Sequence, residues 1–228
     1  MRHPHGLRSA AAAGLPAIGA SFQGGFFAGA ISHTANGVAT HLLIVAPAAT
    51  GATGTGYTLT TNLQSKTTNN TTSGTTSDFN GAANTAAMVT AGIASHPAAQ
   101  FCKNLSIGGY TDWYLPARYE LEIAYYNLKP TTDSNDTGYG TNAYSVPARG
   151  SNYTAGTPAQ TTVTAFQTGN SEAFTAALPS NTVNSHWSST EDSSNPGYSW
   201  RFGFSDGFPG ITLKFSNSRV RAFRIVTL

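Results

Sequence analysis

Apolar and polar positions alternate in short runs along this chain, and the runs fall into two kinds. Phe26-Phe27-Ala28-Gly29-Ala30-Ile31 reads as a strand beside glycines, and His41-Leu42-Leu43-Ile44-Val45-Ala46 as its partner, stopped by Pro47. Asn36-Gly37 lies between them and is a hairpin signal, because both residues accept positive φ. Residues 48–80 are rich in Thr, Gly, Asn and Ser and predict a long loop, with a short strand at Tyr57–Thr61. Loops of that length are usually functional or disordered. Helical spacing follows. Ala98, Phe101, Cys102 and Leu105 share one face behind Pro97, a first-turn residue, and Ala82–Met88 forms a prelude to the same helix. Gly108-Gly109 ends it, and the spacing makes Cys102 a core residue. A second helix runs from Pro116 to Leu128, with Leu121, Ala124, Tyr125 and Leu128 as its buried stripe. Glu120 and Glu122 suit the positive end of its dipole, and Lys129-Pro130 closes it. Tyr110–Leu115 is an extended piece that sends Trp113 into the core. Residues 131–184 read as loop, with Tyr139, Tyr144 and Tyr153 among Gly, Asn and Pro. Strands at His186–Thr190, Ser199–Phe204, Ile211–Phe215 and Arg219–Val226 then form one meander, with Ser205-Asp206-Gly207 as a hairpin turn. Helices early and an antiparallel sheet late make an α+β domain.

Composition narrows the function classes. The 228 residues suit one domain. Residues 1–20 read as a flexible lead-in or linker, and 21–228 as the folded domain. Arg2 and Arg8 ahead of Ala10–Ala13 resemble a signal peptide, but Gly14, Pro16 and the scarcity of Leu argue against one. Charged residues are 10% of the chain, against a usual ~25%. The net charge is +2 with no basic run, which excludes phosphate tracking and hence a nucleic-acid partner. No apolar run approaches the ~18 residues of a membrane span, so no membrane insertion is expected.

Catalytic and metal chemistry find little support. The single cysteine excludes a disulfide framework and a Cys-based zinc cluster. His33, His41, His96 and His186 lack ligand spacing. No cofactor is expected, although a structural cation such as calcium stays open, because oxygen-rich loops hold one without a motif. Ser188, His186 and Asp192 lie close in sequence but without a Gly-x-Ser-x-Gly elbow. Gly51-Ala52-Thr53-Gly54-Thr55-Gly56 is not followed by the Lys of a phosphate loop. The chain is therefore read as a binding protein and not an enzyme.

One stretch has a familiar form. Gly109-Tyr110-Thr111-Asp112-Trp113-Tyr114-Leu115-Pro116-Ala117-Arg118-Tyr119-Glu120-Leu121 resembles the Gly-x-x-Asp-Trp-x-Leu-Pro-x-x-x-Glu-Leu signature of C-type-lectin-like domains of the formylglycine-generating-enzyme-like branch. A second block follows in the same order: Trp187-Ser188-Ser189-Thr190-Glu191, Trp200, Phe204-Ser205-Asp206-Gly207, Lys214 and Arg219–Arg224. The resemblance implies a C-type-lectin-like fold, with two helices packed on a twisted antiparallel sheet and long irregular loops. Such domains form phage tail-fibre tips and bacterial surface adhesins. Some are variable proteins of diversity-generating retroelements, whose C-terminal repeat is rewritten at template adenines. The catalytic relatives in this branch use paired cysteines, which Cys102 alone does not supply. The calcium-binding Glu-Pro-Asn and Trp-Asn-Asp motifs of sugar-binding members are missing too.

By that resemblance, residues 192–218 are the candidate variable region. The expected ligand-binding positions are Asp192, Ser193, Asn195, Tyr198, Arg201, Gly203, Ser205, Asp206, Phe208, Pro209, Ile211, Thr212, Phe215 and Asn217. Trp113, Leu115, Pro116, Glu120, Leu121, Trp187, Trp200, Phe204, Gly207, Lys214, Arg219 and Arg221 are expected as scaffold, with Glu191 or Asp206 pairing the late arginines. Tyr, Ser, Gly and Asn with Trp and Arg anchors is the composition of a recognition surface. The implied partner is a cell-surface protein or glycan receptor, and the implied location a virion tail fibre, the cell surface or the extracellular space. A homotrimer is expected if the domain is a fibre tip.

Overall fold

The structure is a computed structural model and describes residues 14–54, 62–175 and 185–228. Strand β1 (Ser21–Phe22) turns into β2 (Gly25–Ile31), which returns as β3 (His41–Val45). The hairpin read from the sequence is present, paired from Phe26 opposite Val45 to Ile31 opposite His41. Residues 17–20, expected as lead-in, are bonded to it: Gly19 donates its N–H to Phe27, and Phe27 donates to Ala20. The loop from 48 contains one helical turn, α1 (Ala48–Gly51), and a two-residue strand, β4 (Leu63–Gln64). The strand expected at Tyr57–Thr61 lies outside the described residues.

The prelude expected at Ala82–Met88 is a helix of its own, α2 (Gly81–Gly92). The side chain of Asn80 caps its start by accepting from Ala83 N–H, and Gly92, at φ +111°, ends it. Helix α3 (Pro97–Lys103) follows, and Cys102 is fully buried on it. Burial also pushes its thiol up, away from the reactive thiolate. Helix α4 (Arg118–Leu128) starts two residues later than expected, because Glu120 folds back onto the Ala117 N–H at 2.7 Å and fixes the first turn there.

The expected late meander is split between two sheets. Strands β6 (Ser185–Glu191), β7 (Tyr198–Gly203) and β8 (Pro209–Leu213) form a three-stranded antiparallel sheet, after the short β5 (Ser145–Val146). Strand β8 begins two residues before the expected Ile211. The chain then passes through β9 (Asn217–Ser218), which pairs with β4, and ends in β10 (Phe223–Thr227) on β3. The larger sheet is ordered β1-β2-β3-β10, with β5 on β2. Antiparallel sheets with helices against them make this an α+β C-type-lectin-like fold.

Both faces of the larger sheet are covered, which explains why β3 is apolar without alternation. Leu43 and Val45 face α4, with Leu121, Tyr125, Phe202, Phe204 and Phe223. Leu42 and Ile44 face α2 and α3, with Met88, Cys102, Trp113 and Trp187. Glycine sets the helix–sheet distance. A Cβ on Gly29 (φ +141°) would lie 2.5 Å from Asn127, whose side-chain amide donates to Ala28 at 2.8 Å. Arg221 and Arg224 find partners other than those expected. Arg221 pairs with Glu172 at 2.7 Å, and Arg224 with Asp112 at 2.5 Å. Glu191 pairs with Lys214 at 2.9 Å.

Candidate recognition surface

Strands β7 and β8 form a ribbon at the edge of the smaller sheet. Trp200 stands opposite Ile211, Phe202 opposite Pro209, and Tyr198 opposite Leu213. Alternation along a strand puts those six side chains on one face. Arg201 and Thr212 point to the other. The expected ligand-binding positions of the two strands are therefore divided between the two faces of the ribbon. At its inner end the first face is core: Phe202 packs on Tyr125 and Phe204. At its outer end it meets solvent.

The outer end closes a cleft. Arg118 and Tyr119 enter it from the start of α4, while Gly138, Tyr139, Gly140, Thr141 and Tyr153 come from the loop after it. Trp200, Phe202, Gly207 and Pro209 form the opposite wall, and the space enclosed is about 120 Å³. The Arg118 guanidinium lies 4.4 Å from the Trp200 ring and 4.8 Å from Tyr119. Asp78 fixes it by an ion pair at 2.6 Å. At the base, Glu122 accepts from Tyr153 Oη at 2.5 Å and Asn142 Nδ2 at 2.6 Å, and pairs with Arg149. Burial raises the Glu122 carboxyl despite the Arg149 charge beside it. Tyr139 packs edge-on against Phe208, with centroids 5.3 Å apart.

The expected ligand-binding residues divide by burial. Phe208 (41%), Ile211 (39%) and Phe215 (45%) are exposed enough to touch a partner, as is Tyr139 (38%) on the facing loop. Ser193, Asn195 and Asn217 are exposed; Tyr198, Arg201, Asp206, Pro209 and Thr212 are half-buried. Asp192, Gly203 and Ser205 are buried and do structural work, contrary to expectation. Asp192 Oδ1 accepts from the Ser194 and Asn195 N–H groups and holds the turn into β7. Gly203 and Ser205 sit in the hairpin turn, where Gly203 N–H donates to Phe208 and Ser205 C=O accepts from Thr131.

Among the scaffold residues, Trp113, Leu115, Pro116, Glu120, Leu121, Trp187, Phe204, Gly207, Lys214, Arg219 and Arg221 are buried. Trp200 is the correction. It is half-buried in the cleft wall, because its strand face has already run past the end of the core. Sequence reasoning missed Arg118, Tyr119, Tyr139, Gly140, Thr141 and Tyr153 as site residues. They come from a helix start and an aperiodic loop, and only the tyrosine spacing in that loop hinted at them.

Residues 58–224 match one family, described as the Lcl C-terminal domain. The chain belongs to the Lcl C-terminal domain family. This is a family of ligand- and receptor-binding domains of the variable-protein type, not of catalysts. The Lcl C-terminal domain match spans α4, the cleft and the whole ribbon but leaves out β2 and β3, on which β10 closes the larger sheet. No curated protein matches the chain. Among the described residues no cluster of His, Cys, Asp or Glu could hold a metal, and no helix is long and apolar enough to cross a membrane.

Proposed function

We propose that this domain is the receptor-reading tip of a phage tail fibre, and that retroelement rewriting of the β7–β8 ribbon changes what it reads. The observation that carries this reading is the separation of roles within 192–218. Phe208, Ile211 and Phe215 are exposed, while Lys214, Phe202 and Phe204 from the same stretch are buried and hold it. A rigid scaffold that presents exposed aromatic and aliphatic anchors is how recognition surfaces are built. The receptor is a cell-surface protein or glycan, and fibre-tip placement carries with it a homotrimer.

Sequencing the DNA around the gene tests this. A near-copy of the segment encoding 187–224, differing where the copy has adenine and lying beside a reverse-transcriptase frame, is the expected finding. Its absence sinks the diversification and leaves the binding surface.

A second reading is a bacterial surface or secreted adhesin of fixed specificity. It is favoured by the cleft wall from Arg118 to Tyr153, which lies outside the rewritten stretch. Tail genes flanking this one would decide against it.

A further inference from the structure

We infer that the outer edge of β8 is where an extended segment of a protein receptor pairs as an added strand. This rests on the reading of the ribbon as the recognition surface and names the class of partner it takes.

The ladder between β7 and β8 fixes which main-chain groups are spent. Gly203 N–H donates to Phe208, and Lys214 N–H donates to Gly197. In an antiparallel pair every second facing couple exchanges hydrogen bonds. In this register the bonded couples between those two ends are Arg201 with Gly210 and Ser199 with Thr212. Pro209, Ile211 and Leu213 belong to the alternate couples, so their main-chain groups point away from β7. The Leu213 C=O is used by Ser216 N–H at 2.9 Å. Among the described residues, the Pro209 C=O, the Ile211 N–H and C=O and the Leu213 N–H have no partner.

The opposite edge of the same sheet is closed. There β6 spends its outward groups at Ser185, Trp187, Ser189 and Glu191 on Arg219, Pro116 and Thr75, at 2.7 to 3.1 Å. Sheet edges are commonly blunted by charge, yet no charged residue stands between Phe208 and Leu213. Pro209 sits at the first position of the strand, where a missing N–H is tolerated. Ile211 is exposed (39%), and the exposed rings of Phe208 and Phe215 stand at the two ends of the edge.

Unpaired groups repeating every two residues, about 6.8 Å, match the backbone of another β-strand. The edge is continuous with the exposed anchors of the recognition surface, which a second copy of the chain seated there would cover. Ile211 and Trp200 share one face of the ribbon, with Thr212 on the other. The added strand therefore carries an apolar side chain beside Ile211 and small polar ones beside Thr212. Main-chain bonds supply affinity, and the alternate side chains select the sequence.

The experiment offers the full chain immobilised heptapeptides with Val, Ile, Phe or Tyr at alternate positions and Thr between them. At least one should bind. N-methylation of one alternate set of its amides should weaken binding tenfold or more, and of the other set less than about threefold. Ile211→Pro removes the outward N–H without touching the β7 ladder and should also cost tenfold or more, whereas Ile211→Ala should cost less than about threefold. In the unmutated chain, bound peptide should slow amide exchange at Ile211 and Leu213, a readout independent of how the proline variant folds. Equal losses in Ile211→Pro and Ile211→Ala would overturn the inference in favour of side-chain recognition. A solution dimer that Ile211→Pro turns into a monomer would overturn it in favour of a second copy. Cell binding lost in Phe208→Ala and Phe215→Ala, with no peptide bound, would sink strand addition while sparing the recognition surface. If those variants bind cells as the wild type does and no peptide binds, both readings fail.

Discussion

Lys214 Nζ lies 2.9 Å from Glu191 Oε2, and both side chains are closed to solvent. The same carboxylate oxygen accepts the Thr72 N–H at 2.7 Å. Asn70 C=O accepts from Lys214 at 3.0 Å and from Lys66 at 2.8 Å. One buried knot thus joins the end of β8, the end of β6 and the loop at 66–75. Removing one member of a buried pair strands the other, which typically costs about 3–5 kcal/mol. Lys214→Met should fall near the lower end, about 3 kcal/mol, because Lys66 remains near the carboxylate. Lys214→Met with Glu191→Leu should recover much of the loss. Urea unfolding of the single and double variants measures both. A single-variant loss below about 1 kcal/mol would mean that the knot does not hold the ribbon.

The tryptophans should separate folding from recognition. Trp187 is fully buried and donates its indole N–H to Leu63 at 2.7 Å. Trp187→Ala should destabilise by about 3–5 kcal/mol. Trp200→Ala loses mainly the Arg118 stacking and should cost about 1 kcal/mol in stability. Its effect on receptor binding should be about 2 kcal/mol or more. Melting curves and a cell-binding assay on the same preparations distinguish the two.

Stability should carry a pH signature from Glu120. Burial pushes its carboxyl up to about 8, against hydrogen bonds from Ala117, Tyr114 and Gly81 that pull it down. Between the unfolded value of 4.5 and about 8 the folded chain holds more protons at this site than the unfolded chain. The contribution is therefore full below 4.5 and is lost as pH rises through 8. Glu120→Gln keeps an acceptor for the Ala117 N–H and removes the titration. Urea midpoints of the wild type relative to Glu120→Gln should fall between about pH 5 and about pH 8. A constant difference would show that Glu120 is ionised throughout.

The hairpin turn should depend on one glycine. Gly207 has φ +80°, and a Cβ there would lie 2.5 Å from the Tyr125 ring and 2.8 Å from Tyr153. Gly207→Ala should cost about 1–3 kcal/mol and widen the cleft, because Tyr153 forms part of its wall. Thermal unfolding and acrylamide quenching of Trp200 fluorescence read the two effects separately.

Much of this was legible in the sequence, for definite reasons. The hairpin around Asn36-Gly37 and the stripe of α4 follow from period and turn chemistry alone. The destination of β10 was not legible. Phe223–Thr227 has a strand pattern, but nothing local says that it pairs with residues 41–45 and leaves the neighbouring ribbon. The buried serines of β6 were also hidden, since hydropathy places Ser188 and Ser189 outside. They are buried because the strand lies between Pro116 and the 72–77 loop: Ser189 N–H donates to Pro116 at 2.7 Å, and Asn84 donates to the Ser189 hydroxyl. The site was half legible. The ribbon's exposed residues stood out by composition, whereas the facing wall depends on where an aperiodic loop folds back.

Besides the buried side chains beneath it, main-chain bonds hold the ribbon in shape. Lys214 N–H donates to Gly197, Ser65 N–H donates to Lys214, and Gly203 N–H donates to Phe208. Such bonds take no account of which side chain stands on the outer face. A lineage carrying this domain can therefore exchange Ile211 or Phe208 for another residue and alter what the surface grips, while what keeps the surface in place is inherited unchanged. Novelty and integrity are decided by different atoms.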